Sequence, residues 1–76
     1  MGPYDLVELE FAELLQQLNL APPAAKEDLF RQGRVLLKRM EVVTKHEESV
    51  HQKIFNEKTK RHRNMIQHLE GNNNFP

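Results

Sequence analysis

Apolar residues near the start of the chain recur at the spacing of one helical face. The residues of this face are Val7, Phe11, Leu14, Leu15 and Leu18. Asp5 lies just before them and is a residue type that caps helix N-termini well. Two prolines, Pro22 and Pro23, follow the run and remove backbone donors. The pattern predicts a first helix over about 5–19 and a turn over 21–23.

A second apolar pattern begins at the prolines and continues without an evident stop signal. Between residues 24 and 70 the chain has no proline, and its one glycine is Gly33. Gly71, followed by asparagines, is typical of a helix end. The sequence therefore predicts a second helix over about 24–70, roughly 65 Å long at 1.5 Å per residue, and a polar tail over 71–76.

Two helices of unequal length predict an all-α fold, a helical hairpin that forms a single domain over residues 1–76. Folded back through the short turn, the first helix can cover the second only to about Val43. The residues expected to hold the hairpin together are Val7, Phe11, Leu14, Leu15, Leu18, Leu29, Leu36, Leu37, Met40 and Val43. We expect the uncovered half to complete a coiled coil or four-helix bundle with another chain, since long helices need a packed face.

The uncovered half of the second helix has few apolar residues, and we predict that they form the partner-binding seam. They are Val50, Ile54, Phe55, Met65, Ile66 and Leu69. The partner is either a second copy or another helical protein. The alternative is a break near Thr44, where neighbouring β-branched residues weaken helix propensity, which would allow a closed three-helix bundle. The lack of a turn-forming residue there argues against that alternative.

Gly33 lies inside the predicted second helix, where a glycine costs about 1 kcal/mol relative to alanine. One interpretation is that it lets the first helix approach closely at Leu14 or Leu15. The other is a glycine that the helix merely tolerates.

Charge is uneven along a chain that is neutral overall, with 11 basic and 11 acidic residues. Residues 1–25 have four acids and no base, and residues 58–76 have four bases against Glu70 alone. Apolar types make up 38 % of the chain, below the roughly 45–50 % of average domains, which predicts a thin core. With no cysteine to form a disulfide, a domain this small is expected to need a partner.

Histidine and serine are the residue types of this chain whose chemistry suits metal binding or nucleophilic catalysis. His46 and His51 are five residues apart, whereas the helical zinc-protease motif needs four, so the two rings point in different directions. We expect no metal site and no cofactor, with a zinc-dependent oligomer through these two histidines as a lesser alternative. Ser49 is the single serine, and no glycine-rich loop is present. The protein is therefore expected not to be an enzyme.

The basic run over 58–63 supports an alternative function. Its cationic residues are Lys58, Lys60, Arg61 and Arg63. They could contact nucleic acid, or serve as the import signal of a nuclear adaptor. No stretch approaches the apolar length of a membrane span, and the first residues lack the basic region of a signal peptide. We expect an intracellular protein, cytoplasmic or nuclear, with no membrane contact.

The most economical functional interpretation is a non-catalytic protein–protein interaction or oligomerisation module. The uncovered apolar seam indicates a scaffold or adaptor subunit, homo-oligomeric or hetero-oligomeric.

Overall fold

A computed structural model describes residues 1–73, which form three α-helices. Helix α1 spans Pro3–Leu20, α2 spans Pro23–Lys45 and α3 spans Ser49–Asn73. Helix α2 runs antiparallel to both of its neighbours, so α1 and α3 are parallel. The bundle measures 44 × 21 × 14 Å. The predicted all-helical fold is confirmed for the described residues, which contain no strand.

Helix α1 begins two residues earlier than predicted. Gly2 is its N-cap, and Asp5 lies in the first turn, where its Oδ2 accepts a hydrogen bond from the Gly2 backbone N–H at 3.1 Å. An acid in the first turn also interacts favourably with the helix dipole. The helix ends at Leu20, because Ala21 is pushed into an extended conformation (ψ 144°) before Pro22.

The prediction of one continuous helix over 24–70 differs from the structure, in which α2 ends at Lys45 and α3 folds back on it. The break has no glycine, proline, asparagine or aspartate, and no described residue other than glycine has a positive φ. The three-helix alternative, which the missing turn residue argued against, is therefore the arrangement of this chain. The helix also runs further than predicted at its C-terminus, to Asn73, and residues 74–76 of the expected polar tail lie outside the described residues.

Side-chain and backbone hydrogen bonds replace a turn residue at the break. Thr44 Oγ1 donates to the Met40 carbonyl at 2.7 Å, a bond that weakens helix continuation. The amides of His46 and Glu47 bond carbonyls three residues back, both at 3.1 Å, which tightens the last turn. The Gln52 side-chain amide then donates to the Glu47 carbonyl at 2.9 Å. The turn is therefore stabilised by contacts that α3 itself supplies.

The inner face of the predicted hairpin is the core of the bundle. Of the residues expected there, the buried ones are Val7, Phe11, Leu14, Leu18, Leu36, Leu37 and Met40, and the partly buried ones are Leu15, Leu29 and Val43. Tyr4 and Ile66 are also buried, at positions not predicted for the hairpin core, and Phe30, next to Leu29, is buried as well. Ile66 is the one large apolar residue of α3 that is fully buried within the described range.

Gly33 is the point where all three helices come together. A Cβ atom at this position would lie 3.0 Å from Leu14 Cδ2 and 3.2 Å from Ile66 Cδ1. Both distances are shorter than ordinary carbon–carbon contacts, so the glycine allows α1 and α3 to pack against α2. The close approach predicted at Leu14 is confirmed, and it extends to α3 as well.

Replacing Gly33 by valine should destabilise the protein by about 1–3 kcal/mol, because the added methyl groups overpack a filled core. Gly71→Val is the matched control, since it makes the same change inside α3 at a position with no neighbouring atom within 4 Å. Urea unfolding followed by circular dichroism measures both variants. Equal effects of the two substitutions would contradict the close packing at Gly33.

Candidate interaction surface on α3

The N-terminal half of α3 is attached to α1 by an aromatic and hydroxyl cluster. The rings of Tyr4 and Phe55 stack with centroids 4.2 Å apart and planes 9° from parallel. Thr59 Oγ1 donates to the Phe55 carbonyl at 2.8 Å, and the Tyr4 hydroxyl lies 2.8 Å from Thr59 Oγ1 and 3.2 Å from the Phe55 carbonyl oxygen. Because Tyr4 and Thr59 are both buried, this polar contact is shielded from water.

Burial raises the pKa of the Tyr4 hydroxyl above its ordinary value of 10.0, because desolvation disfavours the phenolate. The hydrogen bond with Thr59 and the positive charge of Arg61 act in the opposite direction, and the acids Glu8 and Asp5 raise the pKa further. The neutral tyrosine is therefore the form that the folded cluster stabilises.

One turn further along, Glu8 of α1 connects to two basic side chains of α3. With its proton on Nε2, His62 donates to Glu8 Oε2 at 2.9 Å, and Lys58 Nζ lies 3.7 Å from Glu8 Oε1. The His62 ring packs against Phe11 with centroids 4.9 Å apart, and its Nδ1 atom is buried without a hydrogen-bond partner. Polar and aromatic contacts therefore hold α3 against α1.

The contact of α3 with α2 is also partly ionic. Arg34 Nη1 lies 2.5 Å from Glu70 Oε2, and Arg63 pairs with Glu41. The side chains of these pairs keep 33–50 % of their surface exposed, and ion pairs this accessible to water contribute about 1 kcal/mol or less each. The α2–α3 contact therefore depends on Ile66 packing at Gly33 more than on its charges.

The structure divides the six predicted seam residues into two groups. Phe55 is partly buried and Ile66 is fully buried, so both contact the chain's own core, which corrects their predicted place in an intermolecular seam. The other four keep 38–63 % of their surface exposed. They are Val50, Ile54, Met65 and Leu69, and we call them the outer stripe. Their spacings of four, eleven and four residues place them along one side of α3.

At its C-terminal end the outer stripe lines a groove between α1 and α3. Met65 and Leu69 form one wall, and Leu15 and Leu18 of α1 form the other. The groove has a volume of about 400 Å³, and Gln16, Asn19 and Lys26 complete its lining. It is thus an apolar depression with a polar margin.

The basic run is divided by the fold. Lys58 and Arg63 form ion pairs with acids of α1 and α2, as described above. Lys60 and Arg61 are exposed and have no ion-pair partner among the described residues. The four cations predicted as one nucleic-acid or import contact therefore face different directions around α3.

Helix α1 is acidic and α3 is basic. Over Pro3–Leu20 there are four acids and no base, while Ser49–Asn73 contains five bases and two acids. Glu8 and Glu10 are paired within the chain, whereas Glu13 is exposed and has no ion-pair partner within residues 1–73. Glu13 borders the depression between α1 and α2, so the unpaired acid of α1 lies away from the groove.

Two further findings describe the chemistry of residues 1–73. They contain no group of three or more histidine, cysteine, aspartate or glutamate side chains placed to hold a metal ion. His51 lies 3.5 Å from Glu47, one helical turn before it, and makes no such group. None of the described helices is long and apolar enough to cross a membrane.

The cluster around Tyr4 was not predicted, although the sequence contains a signal for it. Tyr4 precedes Val7 by three residues and Phe11 by seven, so it continues the buried face of α1. Tyr4 was left outside the predicted core because the first helix was predicted to begin at Asp5. The pairing of Glu8 with His62 has no local signal, since it depends on the parallel alignment of α1 with α3.

Comparison with protein-family models, with curated proteins and with solved structures finds no match to this chain.

The raised pKa of Tyr4 predicts a loss of stability at alkaline pH. This contribution is fully present below the unfolded-state pKa of about 10 and is lost as pH rises through the higher folded-state value. The free energy of unfolding, measured by urea titration between pH 8 and about 11, should fall more steeply for the parent chain than for Tyr4→Phe. Parallel curves for the two proteins would contradict the assignment to this hydroxyl.

Proposed function

We propose that the protein is a non-catalytic self-association module, in which the outer stripe of α3 and the adjoining groove bind a second copy of the chain. This keeps the predicted class of function, an interaction or oligomerisation module. It changes the predicted surface, because Phe55 and Ile66 are used inside the bundle. The observation that carries the proposal is the outer stripe, which remains exposed after α3 has packed.

The distribution of apolar surface supports a protein partner. Among the described residues, ten hydrophobic side chains are buried, and ten large ones remain at least 38 % exposed. Single exposed apolar residues are ordinary, but four on one side of a helix, two of which line an apolar groove, are typical of a binding surface. Burying such a surface on association is favourable by about 25 cal/mol per Å² of apolar area.

Charge supports a second copy as the occupant. The groove is flanked by the acidic α1 and the basic α3, so a two-fold axis parallel to the helices sets α1 of each copy opposite α3 of the other. The complementarity is that of the whole helices, with four acids and no base on α1 against five bases and two acids on α3. Complementary charges of this kind favour encounter and orientation more than raw affinity.

Nucleic-acid binding, the alternative function, has weaker support. Its basis is the exposed pair Lys60 and Arg61, while Lys58 and Arg63 are engaged with acids of the same chain. Within residues 1–73, no exposed Phe or Tyr side chain lies beside these cations for base stacking, since Phe55 is stacked on Tyr4.

The double variant Ile54→Glu with Met65→Glu tests the proposed surface. Each substitution places a charge where the second copy would bury an apolar side chain, at a cost of about 1 kcal/mol or more. The association constant should fall at least roughly tenfold. The measurement is the solution mass by light scattering after size exclusion, over a series of protein concentrations.

Asn56→Glu with Gln67→Glu is the matched control. It adds the same two charges to exposed positions of the same helix, outside the outer stripe. The control should associate as the parent chain does. A parent chain that stays monomeric at every concentration, or a control that weakens association as much as the stripe variant, would refute the proposed surface.

A further inference from the structure

We infer that two copies of the chain can exchange α3, so that α2 and α3 of each copy join into one continuous helix over residues 23–73. In this dimer the α3 of each copy occupies, on the other copy, the place that it has in the monomer. The inference rests on the proposed function in one respect, the second copy as partner. It adds how the two copies are connected.

The first argument is the chemistry of the connector, residues 46–48. Its sequence is His46, Glu47 and Glu48, none of which enforces a turn, and none has a positive φ. His46 has φ −96° and ψ 4°, a short rotation away from helical values. His46 and Glu48 are exposed and Glu47 is only half-buried, so packing does not determine the connector's conformation.

The second argument is the hydrogen bonding of the connector. In the monomer the Lys45 and Glu47 carbonyls depend on one side chain, with Gln52 Nε2 at 3.4 Å and 2.9 Å. In a continuous helix the amides of Ser49 and His51 would bond the same two carbonyls through regular i→i−4 bonds. Straightening the connector therefore replaces side-chain support by backbone support.

The third argument is that α3 makes long-range contacts that a second copy can reproduce. The Tyr4–Phe55 stack, the pairing of Glu8 with His62 and the pairing of Arg34 with Glu70 all join α3 to α1 or α2. Exchange conserves each of these contacts. The same property defines domain swapping in general, where an identical element is traded between copies.

The fourth argument is the small core that α3 contributes. Of the ten buried hydrophobic residues, five belong to α1, four to α2 and one, Ile66, to α3. Undocking α3 exposes this one buried apolar side chain of its own, together with the faces of Tyr4 and Phe11 that pack on Phe55 and His62. An element with few buried contacts opens at lower free energy than the rest of a fold.

The experiment uses the Ile54→Glu, Met65→Glu background, in which association through the outer stripe is removed. In the exchanged dimer α3 sits on α1 and α2 as in the monomer, so these two positions stay exposed and exchange is unaffected. The protein is unfolded in urea, refolded at high concentration, diluted, and passed at once over size exclusion with light scattering. A dimer that persists on dilution is expected, because separation requires α3 to undock.

Variants of the connector identify the cause of that dimer. His46→Ala with Gln52→Ala should increase it, because the pair removes the side-chain support of the turn and raises helix propensity. Loss of one hydrogen bond changes the equilibrium between the bent and the straight connector about fivefold. The dimer has two connectors, so the dimerisation constant should rise about 25-fold.

Glu48→Pro should abolish the dimer, because proline cannot lie inside the continuous helix and Glu48 N–H makes no backbone hydrogen bond in the described turn. Glu47→Gly with Glu48→Gly is the second blocking variant, used if circular dichroism shows that the proline variant is unfolded. Each glycine disfavours helix without constraining the turn, so the dimer should decrease at least tenfold.

A dimer that is equally abundant in the blocking variants, or a stripe background that yields only monomer after refolding, overturns the exchange. If the parent chain nevertheless associates and the stripe variants do not, the proposed function stands without the exchange. If the parent chain never associates, the proposed function fails. The two ideas therefore fail through different measurements.

Discussion

The three helices of this chain meet because α2 has no side chain at Gly33. A Cβ atom there would lie 3.0 Å from Leu14 Cδ2 of α1 and 3.2 Å from Ile66 Cδ1 of α3. Both side chains therefore pack where an alanine at this position would have its methyl group. Helix interiors disfavour glycine by about 1 kcal/mol, and here the close packing on both sides offsets that cost. The glycine determines how near α1 and α3 approach α2 midway along the bundle.

Away from Gly33, α3 is held by contacts that combine aromatic and polar groups. Ile66 occupies the glycine site, and the remaining attachment to α1 is the Tyr4 cluster and the pairing of Glu8 with His62. Such contacts are directional, so they specify one alignment of parallel helices without burying much apolar area. Because only one side of α3 packs on α1 and α2, the outer stripe on the other side stays in solvent. That side is the one we propose for contact with another chain.

The spacing of apolar residues and the positions of the prolines were sufficient to predict the parts of the fold that short-range interactions determine. Phe11 and Leu14 of α1, and Leu36 and Met40 of α2, recur at helical spacing. Pro22 and Pro23 separate the two helices, so the first helix, the turn and most of the core were predictable. The start of α1 was displaced by two residues because Asp5 is equally suitable in the first turn.

The second turn, and the burial of Phe55 and Ile66 within the same chain, were not predictable in this way. Residues 46–48 are compatible with helix, and the chain bends there because Phe55 and Ile66 find a buried place on α1 and α2. The apolar pattern correctly marked residues that need a neighbour. It could not specify whether that neighbour belongs to the same chain, since burial stabilises equally in either case.

The equilibrium between the monomer and the exchanged dimer therefore depends on the conformation of the connector and on the protein concentration. Docking of α3 within one chain has the advantage of an effective concentration, about millimolar for short flexible links. At micromolar protein, the ratio of effective to actual concentration disfavours the exchanged dimer by a factor of about 10³. Divided between the two connectors, this factor corresponds to roughly 2 kcal/mol for each. Straightening bonds the Ser49 amide to the Lys45 carbonyl and moves the His51 amide from the Glu48 to the Glu47 carbonyl, so each connector recovers part of that cost. A connector without glycine or proline therefore holds this fold close to the point at which a second copy competes with its own third helix.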